Sequence, residues 1–153
     1  MAENEQLRQM RLRRACLMAA SIWVLAGCSK PDDPQGALEA AVQRLQDALE
    51  NRQTDEVLAM LVARFRAQDD LNAEWARKTM KMVFFRFSQV RVIAANRQSS
   101  IDPASGGRIG RTTAQVLVTG AQGLIPQRAE PYRLEMVWWR EGDVWKLRDL
   151  RSR

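Results

Sequence analysis

YRLEMVWWREGDVWKLRDL, residues 132–150, reads as two β-strands joined by a tight turn. Tyr132, Leu134, Met136 and Trp138 alternate with Arg133, Glu135, Val137 and Trp139. Successive side chains of a strand point to opposite faces, so the first set belongs against a core and the second faces away. Glu141-Gly142-Asp143 has the composition of a hairpin turn, and Val144 to Leu150 supplies the returning strand. The outward set begins charged but ends in Val137 and Trp139, whereas a solvated sheet face is ordinarily polar throughout. An aliphatic residue beside an exposed tryptophan has the chemistry of an interface anchor, so Val137 and Trp139 are the candidate partner surface, with self-association the first expectation.

Upstream of this hairpin the same period of two recurs twice. Val90, Val92 and Ala94 alternate with polar neighbours, followed by a Gly/Ser/Pro-rich turn over residues 99–107. Thr112, Ala114, Val116 and Val118 alternate again up to Gly120, and residues 121–130 form a long connection containing Leu124-Ile125-Pro126. Before Phe87 the period is helical. Leu38, Ala41, Val42, Leu45, Ala48 and Leu49 fall on one face of an amphipathic helix that Asn51 to Gln53 interrupts. Thr54 is placed to cap a second helix whose buried face is Val57, Leu58, Leu61 and Val62. Residues 64–70 are polar around Phe65 and predict a loop or short extended piece. Asn72 then opens a third helix with Ala76, Met80, Val83, Phe84 and Phe87 as its core stripe. The expectation is an α+β domain: three N-terminal helices packed on a curved four-stranded antiparallel sheet.

The N-terminus has a different character. Residues 1–14 are polar and basic, and the thirteen residues Ala15 to Gly27 carry no charge. Thirteen is the length of a secretory apolar region and short of the roughly 20 residues a membrane-spanning helix needs. The stretch ends Leu25-Ala26-Gly27-Cys28, which resembles the lipobox of bacterial lipoproteins. That resemblance implies cleavage before Cys28, diacylglyceryl transfer to its thiol and acylation of the new amine, so Cys28 is the candidate lipidation site. Ser29 rather than aspartate follows it, which in Gram-negative lipoproteins resembles a signal for the outer membrane. The expected organisation is a signal peptide over 1–27, the lipidated cysteine and a short linker over 28–36, and a domain over 37–153. The expected location is the inner leaflet of the outer membrane, facing the periplasm.

The closing motif Val137-Trp138-Trp139-Arg140-Glu141-Gly142-Asp143-Val144-Trp145-Lys146-Leu147 is similar to that of nuclear transport factor 2-like proteins. So is the opening helix ending Leu45-Gln46-Asp47-Ala48-Leu49-Glu50-Asn51, followed by Asp55-Glu56-Val57-Leu58. The resemblance covers Gln35 to Leu150 and implies a cone-shaped α+β fold. Many members place a strand pair between the second and third helices. Here only residues 64–71 are available for it, which implies a shallower or more open cone.

Composition restricts the chemistry. Apolar residues at 46% and charged residues at 27% suit one ordinary globular core. The formal charge is +6, of which Arg8, Arg11, Arg13 and Arg14 against Glu3 and Glu5 account for part before Cys28. The remaining cations are interleaved with acids, unlike the clustered basic face of a nucleic-acid-binding protein, and no nucleic-acid partner is expected. There is no histidine, which removes Ser–His and Cys–His catalysis. Cys16 falls within the leader, so the processed chain has no disulfide and no thiolate for zinc. Asp32-Asp33 and Asp69-Asp70 are isolated pairs without calcium-loop spacing. Residues 106–110, GGRIG, lack the Lys-Ser/Thr of a phosphate loop. No metal and no cofactor are expected.

One enzymatic alternative follows from the resemblance. Isomerase and cyclase members of the cone fold use a buried aspartate base with a tyrosine or acid donor. Asp69 or Asp70 would be the base and Tyr132, the only tyrosine, the donor, in a pocket with Phe65, Met136 and Trp138. A carboxylate in an apolar cavity has its pKa raised into a useful range. The favoured reading is a non-catalytic binding or protein-interaction module, tethered through the lipid anchor, with a protein partner or a second copy. A small-molecule ligand or isomerase-like chemistry in the cone is the alternative. A deep pocket holding either acid beside the Tyr132 hydroxyl distinguishes chemistry from a cone filled by Met136 and Trp138.

Overall fold

A computed structural model describes residues 33–120, 123–124 and 131–153. Residues 1–27, expected to be a signal peptide, the candidate lipidation site Cys28 and the side chains of the 121–130 connection lie outside the described residues. Asp32–Arg153 form one unit, and among the described residues every side chain of its core lies between Ala37 and Leu150.

Helix α1 spans Pro34–Glu50 and buries Leu38, Ala41, Val42, Leu45 and Ala48. It starts before the apolar stripe because Asp33 accepts a hydrogen bond from the Gly36 amide at 2.9 Å and Pro34 occupies the first turn. Residues 34–36, read from composition as linker, are thus helical. Arg52, in a left-handed conformation (φ 59°), ends the helix. Its guanidinium donates to the carbonyls of Phe84 and Ser88, at 2.6 and 3.1 Å.

Helix α2, Thr54–Ala59, is shorter than expected. Gln53, not Thr54, occupies the cap position, and it makes no side-chain cap bond. Leu61 and Val62 leave the helix and join strand β1, Leu61–Ala67. Of the segment expected to be a loop or short extended piece, Arg64 to Ala67 is extended, as part of β1. Helix α3, Ala73–Arg86, begins as expected, with the Asn72 carboxamide accepting from the Glu74 and Trp75 amides at 3.0 and 3.1 Å. Met80 and Phe84 are its buried residues.

Strands β2 (Val90–Ile101), β3 (Ile109–Gly120), β4 (Gly123–Leu124), β5 (Tyr132–Glu141) and β6 (Val144–Ser152) follow. The main order across the sheet is β1-β6-β5-β3-β2, with β4 pairing β3. This corrects the four-stranded antiparallel expectation: the sheet has five principal strands and is mixed, because β1 runs parallel to β6. A single strand stands where related chains are expected to carry a pair, with only an isolated bridge from Ala67 to Leu71 beyond it. The β2–β3 turn is tighter than expected, since β2 continues through residues 99–101 and a short 3₁₀ turn over Pro103–Ser105 closes the hairpin. Gly142, at φ 61°, permits the β5–β6 turn.

Registers assign the faces. Trp138 lies opposite Gly110 and Leu147, and Met136 opposite Thr112 and Leu150, on the inner face against the helices. Val137 lies opposite Arg111 and Asp149, and Trp139 opposite Ile109 and Lys146, on the outer face. Gly110 permits close packing of α1, because a Cβ there would stand 2.8 Å from the Leu38 Cδ2 atom. Trp145 also fastens the start of α1, donating from Nε1 to the Pro34 carbonyl at 3.1 Å.

Candidate functional site

Of the residues expected to line a cone pocket, three are core. Phe65, Met136 and Trp138 are buried, Trp138 completely, and pack with Leu38, Trp145 and Leu147. Large side chains from β1, β5 and β6 thus occupy the inner face beneath α1.

The two acids are elsewhere. Gln68 and Asp69 both take positive φ, 49° and 70°, to make the tight turn leaving β1. Asp69 and Asp70 are exposed. The Asp69 Oδ1 atom accepts from the Arg151 guanidinium at 2.6 Å, and Arg151 lies opposite Glu135 on the outer face. Tyr132 belongs to the inner-face set, half-buried and opposite Val116. Among the described residues no hydrogen bond joins either acid to the tyrosine. The β1 turn thus carries Asp69 to Arg151 on the outer face, whereas Tyr132 belongs to the inner-face set.

The outer-face pair is better placed. Trp139 is 37% exposed and Val137 half-buried. The Arg148 guanidinium lies over the Trp139 ring, 5.6 Å from its centroid, so a neighbouring strand partly covers the indole. Beside it opens a cleft of about 560 Å³ lined by Val62, Ala63, Trp139, the acids Glu141 and Asp149, and Arg64, Arg66 and Arg148. The cleft exists because β1 bulges. Between the Leu61–Leu147 and Arg66–Asp149 pairings β1 advances five residues while β6 advances two.

Charge on this face is lopsided. Asp149 is held by Arg148 at 2.6 Å and Glu141 by Lys146 at 3.3 Å. Arg64, Arg66 and Arg111 make no ion pair among the described residues. Arg64 and Arg66 were not among the candidate residues, because their segment reads as a loop or short extended piece. Their alternation with Phe65 and Ala67 was the available signal. Among the described residues no cluster of three or more Asp, Glu or Cys side chains stands ready for a metal ion, and no helix is long and apolar enough to cross a membrane.

The fold is shared with solved structures. A nuclear transport factor 2-like protein of unknown function from Pseudomonas putida superposes with a TM-score of 0.61, at 10% identity, over 77% of this chain and 84% of that one. This chain has the nuclear transport factor 2-like fold. A Nostoc punctiforme protein described as having a cystatin-like fold gives 0.58, at 13% identity, over 76% of this chain and 86% of that one. Bd1075 of Bdellovibrio bacteriovorus gives 0.65 at 11% identity over 76% of this chain. This chain spans only 40% of the length of Bd1075. No family model and no curated protein matches the sequence. At these identities the likeness extends to the fold, which hosts both enzymes and binding proteins.

Proposed function

We propose that this chain is a lipid-anchored envelope protein whose nuclear transport factor 2-like domain is a non-catalytic interaction module. Its anchor is Cys28, and its partner surface is the outer sheet face around Val137 and Trp139. The observation that carries the non-catalytic reading is the burial of Met136 and Trp138 in the core, on the face where cone-fold enzymes keep their pocket. The ion pair of Asp69 with Arg151 and the exposure of Asp70 support it. The anchor reading rests on the basic leader, the uncharged stretch of residues 15–27 and Cys28 at its end. Three acyl chains contribute about 0.8 kcal/mol for each buried methylene, enough for stable attachment.

The partner is a protein with an acidic surface. Arg64, Arg66, Arg111, Lys146 and Arg148 surround Val137 and Trp139, against Glu141 and Asp149. A second copy meeting this face through a twofold axis would bring like charges together, so the same cations that steer an acidic partner oppose self-pairing.

Two substitutions test the two halves of this reading. Cys28→Ser, expressed in a Gram-negative host, is expected to release the protein from the membrane fraction into the soluble periplasmic fraction. Unchanged membrane attachment and unchanged processed mass refute the anchor. Trp139→Glu is expected to abolish recovery of envelope proteins crosslinked to the wild-type chain while leaving its melting temperature within a few degrees. An unchanged set of crosslinked partners refutes the interface.

A further inference from the structure

Helix α3 is apolar on two opposite sides. One side carries Met80 and Phe84 into the core, with Ala76, Val83 and Phe87 packed against it. The other carries Trp75, Met82 and Phe85, which are 37%, 65% and 94% exposed. At roughly 100° per residue, Met82 lies about 20° and Phe85 about 80° from Trp75 around the axis, so the three make one stripe. Met80 lies about 140° away, on the reverse.

Cations accompany the stripe. Lys78 falls within it, and Lys81 and Arg86 flank it on either side, all exposed. The one acid of the helix, Glu74, is engaged by Arg77 and Lys78 at 3.6 and 3.8 Å. Arg86 lies over its neighbour Phe87, 5.6 Å from the ring centroid, and neither it nor Lys81 forms an ion pair among the described residues. Exposed Trp, Met and Phe bordered by Lys and Arg are the composition of a helix that lies in the interface of an anionic bilayer. There the rings sit among the acyl chain ends while the long basic side chains reach the phosphates.

We propose that the outward stripe of α3, built on Trp75, Met82 and Phe85, docks this domain on an anionic bilayer surface through Lys78, Lys81 and Arg86. The proposal rests on the tethered reading for its membrane and on α3 for its contact. A second copy is the less suitable occupant, because pairing two such stripes confronts two excess sets of cations. The tether is compatible. Six residue steps lead from Cys28 to Pro34, a reach of about 20 Å, and α1 is about 25 Å long. The C-terminal end of α3, which Arg52 binds at the far end of α1, thus reaches the bilayer when α1 inclines towards it. Because α3 packs on the inner side of the sheet, docking it turns the outer face, with Trp139, away from the membrane towards a partner.

The test uses residues 33–153, which contain every core side chain of the described residues and lack Cys28, in flotation with vesicles. The lipids are phosphatidylcholine alone or with phosphatidylglycerol. Binding is expected only where phosphatidylglycerol is present, and it should weaken as salt is raised. Phe85→Ser with Met82→Ser is expected to reduce binding by about tenfold or more, from the loss of apolar burial. These positions are exposed, so the melting temperature should hold. Lys78→Glu with Lys81→Glu should remove the phosphatidylglycerol dependence. Absence of wild-type binding, or equal binding by the Ser variant, overturns the proposal. So does a dimer in solution that the Ser variant dissolves, which would assign the stripe to a second copy. Loss of vesicle binding in Trp139→Glu would assign it to the outer sheet face. The anchor is judged separately by Cys28→Ser in cells, so one reading can fail while the other stands.

Discussion

Gly110→Ala should destabilise the domain, although the same change in most strands stabilises it. Glycine in a strand interior costs roughly 0.5–1 kcal/mol relative to alanine through chain entropy, so entropy alone favours the substitution. Packing reverses the sign. The added methyl would stand 2.8 and 3.0 Å from the two Leu38 Cδ atoms and 3.3 Å from the Trp145 Cζ3 atom. Leu38 is completely buried and Trp145 nearly so, so neither has free space to rotate into. Trp145 is further held by its bond to the Pro34 carbonyl. Overpacking a filled core costs about 1–3 kcal/mol. With about 2.1 cal/mol/K of unfolding entropy per residue over some 120 residues, each kcal/mol lowers the melting temperature by about 4 °C. After the entropy gain is subtracted, about 0.5–2 kcal/mol remains, a fall of roughly 2–8 °C by calorimetry or circular dichroism. A Leu38→Ala background supplies the control. Alone it should cost about 2–5 kcal/mol through its cavity, but Gly110→Ala added to it should be neutral or stabilising. A Gly110→Ala protein that melts at or above the wild-type temperature, or that shows no coupling to Leu38, refutes the close approach of α1 to β3.

Four further expectations are independent of that contact. Asn72→Ala removes the acceptor for two α3 amides and should cost about 1 kcal/mol, a fall near 4 °C in thermal melting; no change would mean water caps the helix equally well. Asp69→Ala breaks an exposed ion pair with Arg151 and should shift unfolding free energy by less than about 1 kcal/mol in urea titration; a larger loss would show that this turn is anchored by the pair. The Trp138 indole N–H is buried without a hydrogen-bond acceptor among the described residues, so Trp138→Phe, which removes that donor, should cost far less than the roughly 3–5 kcal/mol expected of Trp138→Ala; equal costs in chemical denaturation would contradict this. With no histidine and no thiol beyond Cys28, residues 33–153 should melt at the same temperature with or without EDTA and reductant, and a shift of more than a few degrees on chelation would reveal an oxygen-ligand metal site.

Much of the architecture was legible in local pattern. The apolar stripe from Leu38 to Leu49, the Asn72 cap and the alternations through Val116 and Trp138 are set by neighbours within a few residues, where spacing and backbone preference act directly. The same alternation placed Met136 and Trp138 inward and Val137 and Trp139 outward before any partner strand was known. The absence of histidine likewise limits the chemistry whatever the fold. Three features came only from tertiary structure. Strand β1 pairs in parallel with residues some 80 positions later and bulges as it does so, which blurs its alternation, so that Leu61 and Val62 read as helix and residues 64–70 as a loop or short extended piece. The arginine-lined cleft beside Trp139 exists only through that pairing. The two-sided character of α3 also required the structure, because Trp75, Met82 and Phe85 have the same apolar chemistry as Met80 and Phe84. Periodicity identifies an apolar face by its spacing; which of two such faces is covered depends on what the rest of the chain brings against it, and only long-range contacts supply that.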